Sequence, residues 1–288
     1  EPYEVIDFSA NINPLGPSQR GLDALNAQLR YISHYPDATN DDVLNAIADT
    51  YGMDKHQIIV GNGAAELLYA ICRLPGYTGA FVPAPGFSEY KEALEASKIP
   101  VRDIFYRPRE DDNGKPYFEV PYLALETFAA ELKGQDGRII VFLGNPNNPD
   151  GTLLDKDHIR TVASMLKDAN SLLVIDESFI DFVGNDPLQD NEHSIRSLVN
   201  EFDNIIVVHS FTKFYAVPGL RIGAAFTNET LITQLQQYIP SWSVNTLAQA
   251  YTKAALNDVD YIKRTKQELN EERAFMYNAL LSLIHISE

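Results

Sequence analysis

The apolar residues of this 288-residue chain gather into short runs, rich in Val and Ile, that do not alternate with polar positions. Such runs occupy residues 58–60, 80–82, 139–143, 172–175, 205–209 and 222–226, and helical stretches or long connections separate them. Strands that are apolar at every position are covered on both faces, so the pattern predicts an α/β protein with a mostly parallel sheet sandwiched by helices. Ligands of such sheets bind outside the carboxyl ends of the strands. Helical spacing is clear elsewhere. One helix is expected over 18–31, and a second capped by Asn40, with Val43, Leu44, Ile47, Ala48 and Tyr51 on one face and Gly52 as its stop. A third is expected over 64–74. Past Glu229 the strands end, and two helices are predicted up to about residue 256. A long one follows from Asp258, in which Ile262, Leu269, Met276 and Leu283 recur every seven residues as a core-facing stripe. Residues 1–18, rich in Pro and Gly at their close, read as an extended arm.

Charge and cysteine content narrow the partners. With 23 Lys+Arg against 40 Asp+Glu the net charge is −17. No basic cluster is present to hold a phosphate backbone, so nucleic acid is not expected as a partner. Cys72 is the only cysteine, which fits a reducing compartment such as the cytoplasm and provides neither internal disulfides nor a thiolate metal cage. No apolar run approaches the roughly 18 residues that a membrane span needs.

Four segments at strand ends carry unusual residues. In 210–223, SFTKFYAVPGLRIG, Lys213 stands among Phe211, Phe214, Tyr215, Ala216 and Val217. A lysine in apolar surroundings tends to lose its proton and becomes a nucleophilic amine, although a lysine with a packed stem and a solvated head fits the same letters. The segment 61–66, GNGAAE, follows a strand and opens a helix, where unshielded amides bind phosphate. It misses the dinucleotide fingerprint because Glu66 stands where the last glycine belongs. The segment 145–152, NPNNPDGT, also suits a tight turn. Asp176 and Glu177 close an apolar strand, yet no P-loop accompanies them to make a magnesium site. One ligand unites the parts. Amides, the Ser210 hydroxyl and Arg221 suit a phosphate, Lys213 an aldehyde, and Asp176 a protonated ring nitrogen; pyridoxal 5'-phosphate has all three. No metal is expected.

The order and spacing of DFSANINPLG (7–16), YPDA (35–38), GNG (61–63), PGFSEY (85–90), NPNNPDG (145–151), DESFIDF (176–182), the lysine segment and PSWSVN (240–245) resemble the fold-type I, aspartate-aminotransferase-like enzymes over nearly the whole chain. Within that superfamily the chain is most similar to the threonine-phosphate decarboxylase branch, related to histidinol-phosphate aminotransferases. The resemblance implies that Lys213 bonds the cofactor's aldehyde and Asp176 pairs with the pyridinium nitrogen. It implies that Asn148 donates to the ring's 3-oxygen and Phe87 stacks on the ring. It also implies that Ser210, Arg221 and the amides of Gly63 and Ala64 hold the phosphate, with Tyr35 reaching it from the neighbouring subunit of a homodimer. Asn11 and Asn13 are expected near a small phosphorylated amino-acid substrate. The implied organisation is an arm and first helix over 1–35, a cofactor-binding large domain over 36–256, and a long helix over 257–288.

Three departures matter. Phe179 stands where many aminotransferases of the superfamily carry a tyrosine that bonds the 3-oxygen, which favours the decarboxylase branch over the aminotransferases. Asp150 replaces a usual threonine at a turn. The family continues into a small C-terminal domain bearing the arginine that grips the substrate carboxylate. This chain closes on SLIHISE, which does not read as the strand expected there, so a truncated fragment with its small domain largely missing is anticipated.

Overall fold

A computed structural model of the chain describes residues 9–111, 116–132, 137–184, 188 and 191–284. The first half runs α1 (Gln19–Gln28), α2 (Asp41–Tyr51), β1 (Ile58–Gly61), α3 (Ala64–Cys72), β2 (Tyr77–Ala84), α4 (Glu89–Ala96), β3 (Val101–Phe105), β4 (Arg107–Glu110), β5 (Pro116–Glu119) and α5 (Tyr122–Leu132). Then come β6 (Arg138–Gly144), α6 (Lys156–Asp168), β7 (Leu172–Asp176), β8 (Ile205–Ser210), α7 (Phe211–Phe214), β9 (Gly223–Phe226), α8 (Glu229–Gln236), α9 (Thr246–Leu256) and α10 (Val259–Ile284).

Seven strands form one sheet in the order β1-β9-β8-β7-β6-β2-β3. From β8 to β3 all neighbours are parallel, whereas β9 lies antiparallel to both β8 and β1. The sheet is therefore mostly parallel, as the apolar runs predict. Both faces are covered because successive side chains point to opposite sides. Leu173, Ile175, Ile205 and Val207 join the core containing Ile47 of α2, Ile159 and Leu166 of α6, and Tyr251 of α9. Leu172, Val174, Ile206 and Val208 join the one containing Leu67 and Ile71 of α3 and Leu235 of α8. Each such side chain contributes about 1.5–3 kcal/mol on burial.

Ser18 accepts from the Gly21 amide at the start of α1, and Gly52 closes α2 in a left-handed conformation, as predicted. Asn40 needs correction: it stands before α2 but is itself left-handed (φ 55°), and its side chain donates to the Ala38 carbonyl instead of accepting from the first-turn amides. Three strands lie outside the predicted set. β3 is a sheet edge with four of its five residues at least partly exposed, and β4 and β5 form a separate exposed hairpin whose sequences carry Pro, Arg and Glu. None makes an apolar run. The stripe on α10 needs correction: Ile262 packs on the core and Leu269 is half-buried, but Met276 is exposed, as are its neighbours Phe275 and Leu280. The helix leaves the core after its first three turns, so a sevenfold repeat does not imply burial along its whole length. The Leu283 side chain, residues 1–8 of the arm with Asp7, and residues 285–288 of the tail lie outside the described residues.

Candidate active site

Four chemically loaded loops leave the sheet side by side because their strands are in register. Ser210 of β8 is paired with Gly223 of β9, and Gly223 with Gly61 of β1. Asp176 of β7 pairs with Val208 of β8 on one side and with Gly144 of β6 on the other. The turn after each strand thus opens onto one edge, where a ligand of a parallel sheet is expected.

Lys213 lies in α7, a single turn capped by Ser210, whose Oγ accepts from the Thr212 amide. Phe211, Phe214 and Tyr215 around it are buried. Its own side chain is part-buried and has no hydrogen-bond partner among the described residues. Burial holds the Lys213 ammonium below the ordinary lysine range; the Asp176 carboxylate opposes that shift and Arg221 adds to it. Such an amine sheds its proton more readily than a surface lysine and can attack a carbonyl or carry a proton.

Asp176 is 7% exposed, and both carboxylate oxygens have donors. The Tyr90 hydroxyl donates to Oδ2 at 2.8 Å and the Ser178 amide to Oδ1 at 2.9 Å. Directly behind it a second carboxylate is fully enclosed. Glu177 accepts from Asn145 Nδ2, Ser194 Oγ and the Ile195 amide, with Arg196 Nη2 3.9 Å away. A third buried carboxylate, Asp181, accepts from the Tyr51 hydroxyl at 2.7 Å and lies 3.1 Å from His209 Nε2. Burial alone would raise the Asp181 pKa, but His209, Arg196 and Tyr51 together hold it below the ordinary carboxylate value. Glu177, Asp181 and Tyr90 lie within the motifs DESFIDF and PGFSEY, but those letters do not show which distant groups they meet. Tyr90 has the best signal, since it follows Phe87 by three residues at the start of α4, close enough for the two rings to meet edge-on at 5.6 Å.

The corner built by Gly63, Ala64, Ser210 and Arg221 is shaped by absent side chains. Gly63, at φ +82°, precedes α3 and offers no capping group to its first-turn amides. A Cβ there would run into the Arg221 guanidinium, so glycine is what lets this cation reach the start of the helix. A Cβ on Gly223 would meet the Ala64 amide nitrogen at 2.5 Å, which brings β9 and α3 into close approach. Arg221 itself is exposed and donates to the Pro218 carbonyl at 3.3 Å. Amides at a helix start beside an arginine are a phosphate-binding arrangement.

Asn11 and Asn148 line one cavity of about 360 Å³ together with Pro146, Phe179, Phe182 and Leu269 of α10. The Asn148 amide has no partner among the described residues. Asn13 is placed differently. It is 3% exposed, its Nδ2 meets the Phe214 carbonyl, the Tyr261 hydroxyl and Thr265 Oγ1, and its backbone amide donates to the Lys213 carbonyl. Its polar groups pin the arm and α10 to the lysine turn instead of facing the cavity. Phe87 is 37% exposed. Tyr35 is 80% exposed and packs tilted against Trp242, with ring centroids 4.7 Å apart, on the surface of this chain. A larger hollow, lined by Arg107, Tyr117, Leu123 and His158, adjoins the hairpin and contains none of the predicted site residues.

The donor set fits a phosphorylated pyridine aldehyde: a helix-start cradle with an arginine for the phosphate, a buried carboxylate for a ring nitrogen, and an unpartnered amine for the aldehyde. The class I and II aminotransferase family model matches residues 3–288. The chain belongs to the class I and II aminotransferase family. Among relatives of this aminotransferase-family chain, the adenosylcobalamin biosynthesis bifunctional protein CobDQ of Leptospira interrogans is 34% identical over 93% of the chain and 29% of its own length. Threonine-phosphate decarboxylase of Salmonella typhimurium is 33% identical over 98% of the chain and 73% of its own length. Histidinol-phosphate aminotransferase of Methanothermobacter thermautotrophicus is 30% identical over 96% and 69%. The chain thus spans less than a third of the first of these relatives and about 70% of the other two. Two solved structures share the fold: histidinol-phosphate aminotransferase of Clostridium acetobutylicum (TM-score 0.82, 24% identity, 96% of this chain and 77% of that one) and that of Sinorhizobium meliloti in complex with pyridoxal-5'-phosphate (TM-score 0.75, 24% identity, 92% and 67%).

Proposed function

We propose that this chain is the cofactor-binding part of an enzyme that decarboxylates L-threonine O-3-phosphate to 1-aminopropan-2-ol O-phosphate. The cofactor is pyridoxal 5'-phosphate. Bound at this edge of the sheet, it supplies an aldehyde for amines and an electron-accepting ring. Lys213 is the residue that bonds that aldehyde, and its lowered pKa favours the free amine. Asp176 holds the ring nitrogen's proton, Asn148 donates to the ring oxygen, and Phe87 covers the ring. Arg221, Ser210 and the Gly63 and Ala64 amides take the phosphate. In a dimer Tyr35, exposed on this chain, is available to a neighbouring subunit. In the reaction the Cα–carboxylate bond breaks, carbon dioxide leaves, and Lys213 Nζ returns a proton to Cα.

The observation that carries the decarboxylase reading is Phe179, which lines the cavity three residues after Asp176 and offers no hydroxyl there. The Leptospira and Salmonella relatives support the same reading. A second reading, transamination of histidinol phosphate, has the Methanothermobacter relative in its favour. It uses the same cofactor-holding residues and differs in whether Lys213 takes a proton from Cα or gives one to it. The deciding experiment supplies L-threonine O-3-phosphate and, separately, histidinol phosphate with 2-oxoglutarate to the cofactor-loaded enzyme of which this chain is the cofactor-binding part. Carbon dioxide release from the first without glutamate formation from the second is expected; the reverse pattern would assign the aminotransferase.

A further inference from the structure

Tyr90 is not among the residues assigned above, yet it touches two of them. It is 2% exposed, at the second position of α4. Its hydroxyl donates to Asp176 Oδ2 at 2.8 Å. Its ring stacks on Phe142 of β6, with centroids 5.2 Å apart and planes 14° apart, and meets Phe87 edge-on at 86°. The Ser178 amide holds the other carboxylate oxygen from the chain just beyond β7. Asp176 is thus gripped by donors from two different elements, which fixes the rotation of its carboxylate about both side-chain torsions. Each oxygen keeps further acceptor capacity for a group arriving from the cavity side. Burial, reinforced by the neighbouring Asp176 charge, pushes the Tyr90 hydroxyl well above the ordinary tyrosine range, so it stays protonated and keeps the proton it donates to Asp176.

We propose that Tyr90 is a positioning residue: its hydroxyl sets the Asp176 carboxylate and its ring sets Phe87, so that one buried side chain registers both the polar edge and the aromatic cover of the cofactor site. A carboxylate that has to meet a ring nitrogen and an aromatic that has to lie on the same ring need a common reference. Tyr90, locked against Phe142 in the floor of the sheet, provides it. This inference rests on the cofactor reading given under Proposed function.

The test is the affinity of the purified protein for pyridoxal 5'-phosphate, read from visible absorbance, beside its affinity for an analogue in which carbon replaces the ring nitrogen. Tyr90→Phe keeps the ring stacked and deletes only the hydroxyl. It is expected to weaken binding of pyridoxal 5'-phosphate about tenfold, equivalent to about 1.4 kcal/mol, and to leave binding of the analogue unchanged, because the hydroxyl acts through Asp176 and the analogue has no nitrogen for Asp176 to meet. In an Asp176→Asn background the same change is expected to add no further loss of cofactor affinity. Tyr90→Leu, which removes the ring as well, is expected to weaken both ligands. An equal loss of both ligands in Tyr90→Phe, or an unchanged affinity for pyridoxal 5'-phosphate, overturns the proposal while leaving the cofactor reading intact. Failure of the wild-type protein to bind pyridoxal 5'-phosphate at all overturns both.

Discussion

The polar residues at this edge of the sheet fall into two sets that obey opposite rules. Behind the edge, Glu177, Asn145, Ser194, Arg196, Asp181, His209 and Tyr51 are buried and linked through hydrogen bonds, close ion contacts and ring stacking. In front of it, Lys213 and Asn148 have no hydrogen-bond partner among the described residues, and Arg221 is exposed. Buried polar groups are costly unless paired, so the rear set is committed to holding the fold. In the front set Lys213 and Asn148 are uncommitted and Arg221 makes one exposed bond to the Pro218 carbonyl, and such donors at the strand ends are what a ligand can recruit. Asp176 sits on the boundary, held from behind by Tyr90 and Ser178 and sensed from the front by Lys213.

The contrast breaks most severely if Glu177 is removed. Glu177→Ala strands the Asn145 amide, the Ser194 hydroxyl, the Ile195 amide and the Arg196 cation without their shared acceptor, and a loss of about 3–5 kcal/mol is expected in urea unfolding. Asn13→Ala, which severs the arm and α10 from the lysine turn, is expected to cost about 1–3 kcal/mol. Its effect on stability should exceed any effect on substrate KM, which separates a structural tie from a substrate contact.

Front-set changes should behave in the opposite way. Arg221→Ala is expected to shift stability by no more than about 0.5 kcal/mol, as an exposed change, while weakening cofactor binding at least tenfold in an absorbance titration. The smallest and most diagnostic effect concerns Lys213. Its native pKa lies below the ordinary value, so the unfolded chain binds more protons and the native state is penalised at neutral pH. Stability of the cofactor-free protein should therefore rise as pH climbs from the native pKa toward the ordinary lysine value. Lys213→Met removes the penalty: it is expected to melt higher than wild type at pH 7, with the gap closing toward pH 10.

How much of this was legible in sequence follows the same division. The front set was readable because Lys213 among aromatics, Gly63 before a helix and Asp176 at a strand end are each odd in local context, and the apolar runs fix which loops share an edge. Asn11 and Asn148 do meet in one cavity with Phe179. The pairing of the rear set is not readable, although Asn145, Glu177 and Asp181 stand in recognisable motifs, because a buried Asp, His or Arg looks like any other until its distant partners are known; Tyr51 and Asp181 are 130 residues apart. Asn13 shows the limit within a single motif, since Asn11 and Asn13 stand two residues apart and only one lines the cavity. The β4–β5 hairpin escaped because exposed strands carrying Pro and charge leave no periodic trace.

Everything assigned to the front set turns on Lys213 being the amine that bears the cofactor. Treating the protein with pyridoxal 5'-phosphate and then borohydride, followed by peptide mass mapping, locates the amine that holds the cofactor. A visible band that borohydride bleaches and a pyridoxyl mass on the peptide containing Lys213 are expected, with both lost in Lys213→Ala. A label on a different lysine, or a band that persists in Lys213→Ala, would contradict this assignment.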